Sequence, residues 1–464
     1  MHLPYLFEGL RLPKGLLKAA IVLTLIGYCL AIGYLVGKNR HSLLLLLLAP
    51  PVAFLALTIA FRYFQFLVLL LPLTALTLPH VQLSTGTYTQ LPVSLLLTIG
   101  LTALWLVSMS IRGNRPVATP LNKPLLCFGI LCILSFVWGV AWRDPLADAI
   151  PNFIVVQIGA LVTILVSLSV PILIGNFVTT PGQLKYIVGC FLVFGSAMTL
   201  TQLFKVDQIV LNDRGLWGTW VIACAYGLLI AQPDLRRRWR WLLAAIVLLT
   251  FYQTMLINSD WISGWFPSVI AIAAITFLRS WKLGLVLMVV GTVAIVGSLG
   301  FFEAVAQSNI DDGSLERLEI WEQNWGVTSE HWLLGTGPAG YAIYYMSYFP
   351  TTARSTHNNY LDILSQFGIV GLVVWMWVMV TSVYVGWRTV RMLPPGLLKT
   401  MAMIAAGGWV AALVSMIFGD WVLPFAYNQG ISGYKYTVYS WIFLGVLVAI
   451  NRINASTIEH EVAR

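Results

Sequence analysis

The residues with the clearest capacity for chemistry lie between Asp311 and Gly371. His357 opens the apolar stretch Asn358-Asn359-Tyr360-Leu361-Asp362. Ser355 or Thr356 is predicted to cap a helix there. A histidine at such an end meets unpaired amides and the positive pole of the helix. That environment favours anions and disfavours imidazolium, and a neutral imidazole can act as a general base. The alternative is a surface histidine bonded locally. Asp362 lies about a turn and a half into the helix, i, i+4 from Asn358. An acid at that depth costs a few kcal/mol unless paired or wet, so it is expected to face a polar cavity and pair with an arginine.

Arginine is the second chemical signal. Arg317 stands four residues before Trp321, on a segment read as a short amphipathic helix with Ser314 as N-cap and Leu315, Leu318, Trp321 and Trp325 on one side. As a bland alternative, that helix is an interfacial one anchored by tryptophans. Arg143, Lys205, Arg214 and Arg354 come from other stretches predicted to lie on the same side of a membrane. Arginines gathered against the positive-inside bias suit a phosphate or diphosphate, which they hold by bidentate charge-assisted bonds. Pairing with Asp144 and Asp213 is the competing use. Between these groups, Leu333-Leu334-Gly335-Thr336-Gly337-Pro338-Ala339-Gly340 reads as a tight turn. Its amides are candidates for an anion, but no P-loop lysine is present.

The elements that must position these groups are membrane helices. The 464 residues are 59% hydrophobic and 10% charged, with mean hydropathy +0.83; soluble domains carry about 25% charged residues. Apolar runs of spanning length fall at 16–36, 43–61, 64–79, 91–111, 124–142, 153–175, 185–204, 216–232, 241–257, 262–278, 283–302, 358–387, 400–418 and 436–450. The shorter ones leave a range of 12–14 transmembrane helices. The predicted fold is an all-α polytopic bundle with one large helical periplasmic loop. Residues 1–302 hold helices 1–11, 303–356 the loop with amphipathic helices, and 357–464 the C-terminal helices. The first run lacks a small-residue cleavage site and reads as a span rather than a removed leader.

With both termini cytoplasmic, nineteen of the 27 Lys and Arg fall inside and eight outside, as the positive-inside rule requires. This places the long loop, His357 and the arginines on the periplasmic or extracellular face. The net charge of +9 then holds topology against anionic lipid, and no basic run suits nucleic acid. Cys29, Cys127, Cys132, Cys190 and Cys224 all sit in apolar runs, without metal-ligand spacing.

The order Arg317-Leu-Glu-Ile-Trp321, Leu333-Leu-Gly-Thr-Gly-Pro338, and Thr356-His-Asn-Asn-Tyr-Leu-Asp-Ile-Leu-Ser-Gln-Phe-Gly-Ile-Val-Gly-Leu372 resembles the O-antigen ligase and O-antigen polymerase superfamily. The likeness is specific over about 60 residues, and Arg214-Gly215-Leu216-Trp217 resembles the family's earlier Arg-Gly segment. It implies a metal-independent inner-membrane glycosyltransferase without a cofactor. The donor would be a glycan on a polyprenyl diphosphate, and the acceptor a hydroxyl on a lipid, glycan or protein. His357 matches the family's essential histidine, Arg317 its loop arginine and Arg214 a diphosphate-contacting arginine. Arg354, Arg143, Trp321, Asn358 and Asp362 complete the expected binding set. Two departures stand out. The family's Ser-Arg-Gly segment reads Asn258-Ser259-Asp260-Trp261 here, which leaves Arg143 or Lys205 to replace its arginine or the donor to be held differently. The usual glutamate before the helix glycine is Gln366. The competing class is a transporter or flippase of a lipid-linked or anionic solute; such proteins show paired repeats and midplane ionisable groups, and neither is evident.

Overall fold

The computed structural model describes residues 58, 61–77, 80–82, 90–113, 115–148, 152–206, 211, 214–258, 262–297, 315–351, 355–424 and 430–462. The chain divides into two units, 1–64 and 65–464, and all that follows concerns the second. The predicted spans 16–36 and 43–61 fall outside the described residues apart from Thr58 and Phe61.

The elements are α1 (Phe64–Thr77), β1 (His80–Gln82), β2 (Gln90–Pro92), α2 (Val93–Arg112), α3 (Asn122–Ala141), α4 (Phe153–Phe177), α5 (Pro181–Leu203), α6 (Trp217–Ala231), α7 (Arg237–Phe251), α8 (Ile262–Arg279), α9 (Trp281–Gly297), α10 (Leu315–Glu330), α11 (Tyr341–Tyr348), α12 (Asn359–Met392), α13 (Leu397–Ser415) and α14 (Tyr434–Val462). A π turn, Tyr252–Ile257, extends α7. Among the described residues, eight helical stretches are long and apolar enough to cross a membrane. The chain is a polytopic helical membrane protein, and the described helices other than α10 and α11 fall on the predicted runs from 64–79 onward. One element was not foreseen: β1 pairs antiparallel with β2, Val81 opposite Leu91. Three-residue strands carry too little alternation to register in a hydropathy pattern.

Helix α14 is the axis of the bundle and packs along α4, α13, α12 and α2. Small residues let backbones approach where lipid offers no hydrophobic drive. A Cβ on Gly175 would stand 2.4 Å from Val448, and one on Gly445 would stand 2.5 Å from Ile174, so α4 and α14 meet through two glycines. Aromatic rings fill the next layer. Trp220 of α6 stacks on Phe443 with centroids 4.0 Å apart, and the buried Trp375, Trp409 and Trp441 cluster around α14.

The long loop holds α10 and α11. Helix α10 buries Ile320, Asn324, Val327 and Thr328. That face differs from the one predicted: Trp325 is exposed. The docking side is half polar because its target, Ser365, is polar. Ser314, the expected cap, lies outside the described residues.

Candidate active site

The site is built around a break in α12. The apolar run 358–387 reads as one span, yet Gly368 takes φ +65°, ψ −168° inside it. Only glycine enters that region at low cost, and a Cβ here would sit 2.2 Å from the Leu333 carbonyl oxygen. A broken helix exposes amides and carbonyls that hydrocarbon cannot satisfy. The glycine-rich turn satisfies them. Ile369 N donates to Trp332 O (2.7 Å) and Val370 N to Leu333 O (3.4 Å), while Thr336 N donates to Ser365 O (3.0 Å) and Gly337 N to Gln366 O (2.9 Å). From α3, the Ser135 hydroxyl reaches Leu334 O and Gln366 O, both at 2.7 Å. The turn's amides are thus spent on the break. The expectation that they face an anion is corrected: this turn is the clamp on α12.

Gln366 explains one departure from the family pattern. Its Oε1 accepts from Ala339 N (2.7 Å) and its Nε2 donates to Asp362 Oδ2 (2.6 Å). A glutamine accepts and donates at once, whereas an ionised glutamate only accepts. Asp362 is buried, and its hydrogen-bond partner among the described residues is Gln366, not the arginine expected. The physical reason is depth: Asp362 points into the packed interior, where a neutral amide reaches it. The Tyr341 hydroxyl lies beside this carboxylate, and neither it nor Asp362 Oδ1 has a partner of hydrogen-bonding geometry. Burial first, and then the charge of Asp362, push the Tyr341 phenol well above its ordinary range. Asp420 approaches the same pair and accepts from the Tyr436 hydroxyl at 2.7 Å. Asp420, Tyr341 and Tyr436 were not singled out in the sequence. Asp420 was open to detection, as an acid in the apolar stretch after α13.

His357 immediately precedes Asn358, the residue before the start of α12. Its φ is +49°, a left-handed conformation that few non-glycine residues adopt. The Ser355 hydroxyl accepts from His357 N (3.2 Å), and Thr356 Oγ1 bonds Asn358 N (3.3 Å) and Asn358 O (3.0 Å). The cap is Asn358, not Ser355 or Thr356: its Oδ1 accepts from Tyr360 N (2.9 Å) and Leu361 N (3.3 Å). Asn359 N is taken by Met416 O (2.7 Å). The first amides of α12 are therefore occupied, and an anion there meets the helix dipole without free N–H groups. His357 itself is half-buried.

Trp321 ties α10 to this turn, its indole donating to Thr356 O at 2.8 Å. Farther along, Asn324 Nδ2 and Thr328 Oγ1 bond Ser365 Oγ at 2.7 and 3.1 Å. Trp321, His357, Asn358 and Asp362 are thus held by one connected scaffold. Arg317 lies one turn before Trp321 on α10, with its side chain outside the described residues, and Arg354 is outside them altogether.

The other two arginines are placed differently. Arg214 is exposed and lies near Tyr436, so it reaches the Asp420 side of the cluster; Gly215 packs on the Tyr436 Cβ. Arg143 donates to the buried Gln157 Oε1 at 2.6 Å. Its neighbour Asp144 accepts from the Tyr348 hydroxyl and from Leu146 N, and these bonds hold its carboxyl below the usual range. His331, also not singled out in the sequence, packs its ring 4.9 Å from Tyr344. Its Nε2 is buried without a partner, and burial lowers its pKa against the opposing charges of Glu330 and Asp144.

Among the described residues, no three His, Cys, Asp or Glu side chains are grouped to hold a metal ion. No curated protein matches the chain. Residues 206–376, which run from before Arg214 through His357 and the α12 break, match the family model described as O-Antigen ligase.

Proposed function

We propose that this membrane enzyme moves a glycan from a polyprenyl-diphosphate carrier to an acceptor hydroxyl on the periplasmic face of the inner membrane, with both termini cytoplasmic. One observation carries the reading: His357 is held in a left-handed conformation directly before the cap of α12, with the Ser355 hydroxyl accepting from its amide and the Trp321 indole bonding the neighbouring Thr356 carbonyl. Backbone strain of this kind costs about 1–3 kcal/mol and persists where the surroundings enforce it.

In the reaction, the acceptor oxygen attacks the anomeric carbon and the bond from that carbon to the diphosphate breaks. The hydroxyl proton passes to His357, and the diphosphate departs with the bonding electrons. Developing charge on the leaving group needs preorganised cations. With the amides of α12 and of the glycine turn already bonded, that task falls to Arg317, Arg214 and Arg354, with Arg143 on the flank. Trp321 supplies a face for a sugar ring. Asn358 keeps its amide nitrogen for the ligand, because its oxygen caps the helix. Asp362 acts from behind, through Gln366 and the glycine turn.

The test is reconstitution of the full chain with a polyprenyl-diphosphate glycan and candidate lipid, glycan and protein acceptors. Formation of a glycosidic bond that is lost in His357→Ala and Arg317→Ala supports the reading. Undiminished transfer by both variants overturns the roles. Movement of the donor across the bilayer with no new bond would instead make the protein a flippase.

A further inference from the structure

Helices α5, α6 and α7 line a cleft outside the His357 scaffold. It has a volume of about 510 Å³, within the range of ligand sites, and its walls are almost wholly apolar. Leu192 and Val193 of α5 face Leu242, Ile246 and Leu249 of α7 across it. Gly189 forms part of the wall, and a Cβ added there meets nothing within 4 Å. From Gly189 to Leu200 the wall runs eleven residues, roughly 16 Å at the helical rise. That is about half of a hydrocarbon core of roughly 30 Å, the depth of one leaflet.

The two ends of the cleft differ. At one, the Thr199 and Thr250 hydroxyls bond at 3.1 Å and Gln253 bonds Gln202, closing it with polar groups. At the other, Leu235 and Trp239 line the wall inside the run Leu235-Arg236-Arg237-Arg238-Trp239-Arg240. Arg240 folds back on the carbonyls of Leu235 and Pro233, both at 3.2 Å, and the Arg238 guanidinium lies over the Trp239 ring at 5.7 Å. Arg236, Arg237 and Arg238 are exposed. An apolar slot of one leaflet's depth, with a cluster of guanidiniums at its mouth, matches a lipid that has a hydrocarbon chain and an anionic head.

We propose that this cleft holds one acyl chain of an anionic diacyl phospholipid whose phosphate rests on Arg236, Arg237 and Arg238. The site is separate from the one at His357. Arg214 precedes α6 and Arg236 follows it, so the length of that helix, Trp217–Ala231 or roughly 22 Å, lies between the two groups. A polyprenyl diphosphate held by Arg214 cannot also place its head on this mouth.

The experiment uses the purified full chain in a neutral detergent, with lipid retention read by native mass spectrometry and thermal melting followed as lipid is added. Phosphatidylglycerol is expected to be retained and to raise the melting temperature saturably, and phosphatidylcholine to do neither. The triple variant Arg236→Gln, Arg237→Gln, Arg238→Gln is expected to weaken phosphatidylglycerol binding on the order of a hundredfold, at roughly fivefold for each charge. Gly189→Phe fills the slot and leaves the arginines intact; it too is expected to lose the retained lipid. Equal retention of the two phospholipids, unchanged binding in both variants, or displacement of phosphatidylglycerol by a polyprenyl phosphate at equal concentration overturns the proposal.

Discussion

The break in α12 and the cleft between α5 and α7 are both interruptions of an apolar bundle, and they are handled in opposite ways. At Gly368 the interruption releases backbone polar groups, and Trp332, Leu333, Thr336 and Gly337 each meet one of them. At the cleft the interruption leaves only carbon facing space, with hydroxyl pairs confined to one end. An unsatisfied amide in hydrocarbon costs several kcal/mol, whereas an apolar gap open to lipid is filled by lipid. The first region must therefore be rigid and the second can be plastic. On the proposed mechanism His357 gains from standing on the rigid one, since an angstrom of displacement is expensive in catalysis.

The sharpest way to test the rigid side is through His357. On the proposed mechanism, His357→Ala lowers glycan transfer by about 10²–10⁴-fold and leaves the melting temperature unchanged. His357→Gly relieves the positive φ and is expected to melt slightly higher, yet to transfer as poorly as the alanine variant. A variant that melts early and transfers in proportion to its folded fraction would reduce His357 to a structural residue.

Breaking the clamp should cost stability as well as activity. Gly368→Ala places a Cβ 2.2 Å from the Leu333 carbonyl oxygen in a conformation reserved for glycine. It is expected to destabilise the fold by more than about 3 kcal/mol. Gly100→Ala, in the middle of α2 with nothing within 4 Å of the new methyl, is the matched control and should gain roughly 0.5–1 kcal/mol. If both glycines respond alike in detergent-phase unfolding, the break in α12 is not the rigid element described here.

Gln366→Leu probes the same clamp more gently. It leaves Ala339 N and Asp362 Oδ2 without partners, at about 1–3 kcal/mol for each buried group. Transfer should fall with stability, because Gln366 joins the turn to the helix that presents His357. Gln366→Glu probes the donor directly: an ionised carboxyl cannot donate to Asp362, so the variant should be less stable than the parent and recover part of the loss on acidification.

How much of this was legible in the sequence follows the same division. Apolar runs locate α1 to α9 and α12 to α14 because lipid imposes a minimum length on every span. The order Arg317, Trp321, Gly335, His357 points to the stretch in which the glycine turn clamps the break in α12. What did not show was who bonds whom. Nothing in Thr356-His357-Asn358 says that Asn358 rather than Ser355 or Thr356 caps the helix. Gly368 sits in an unbroken apolar run, and its φ is set by a turn thirty residues earlier. The same is true of Asp362, whose partner was taken to be an arginine and is a glutamine one turn on. Hydropathy reads a residue's solvent; these features depend on the residue's neighbour.

The smallest effect expected is a pH dependence confined to the loop that covers the clamp. His331 is half-buried beside Tyr344, with its pKa lowered below that of a free imidazole. On acidification, the unfolded chain takes up a proton at His331 before the folded one does. Stability therefore falls as pH drops through the unfolded value near 6.5 and continues to fall until the folded value is passed. Asp144 acts in the same direction at lower pH. Its carboxyl is held down by Tyr348 and the Leu146 amide, so its contribution is present above the unfolded carboxylate value and lost as pH falls through the folded one. Glu330 and Asp144 both oppose the lowering at His331, which keeps the effect modest. His331→Phe retains the ring contact and removes the titration, and its melting curve should flatten below about pH 6.5 while the cleft variant Gly189→Phe keeps the slope of the parent. An unchanged slope in His331→Phe would move the acid sensitivity to the Asp144 side of α11.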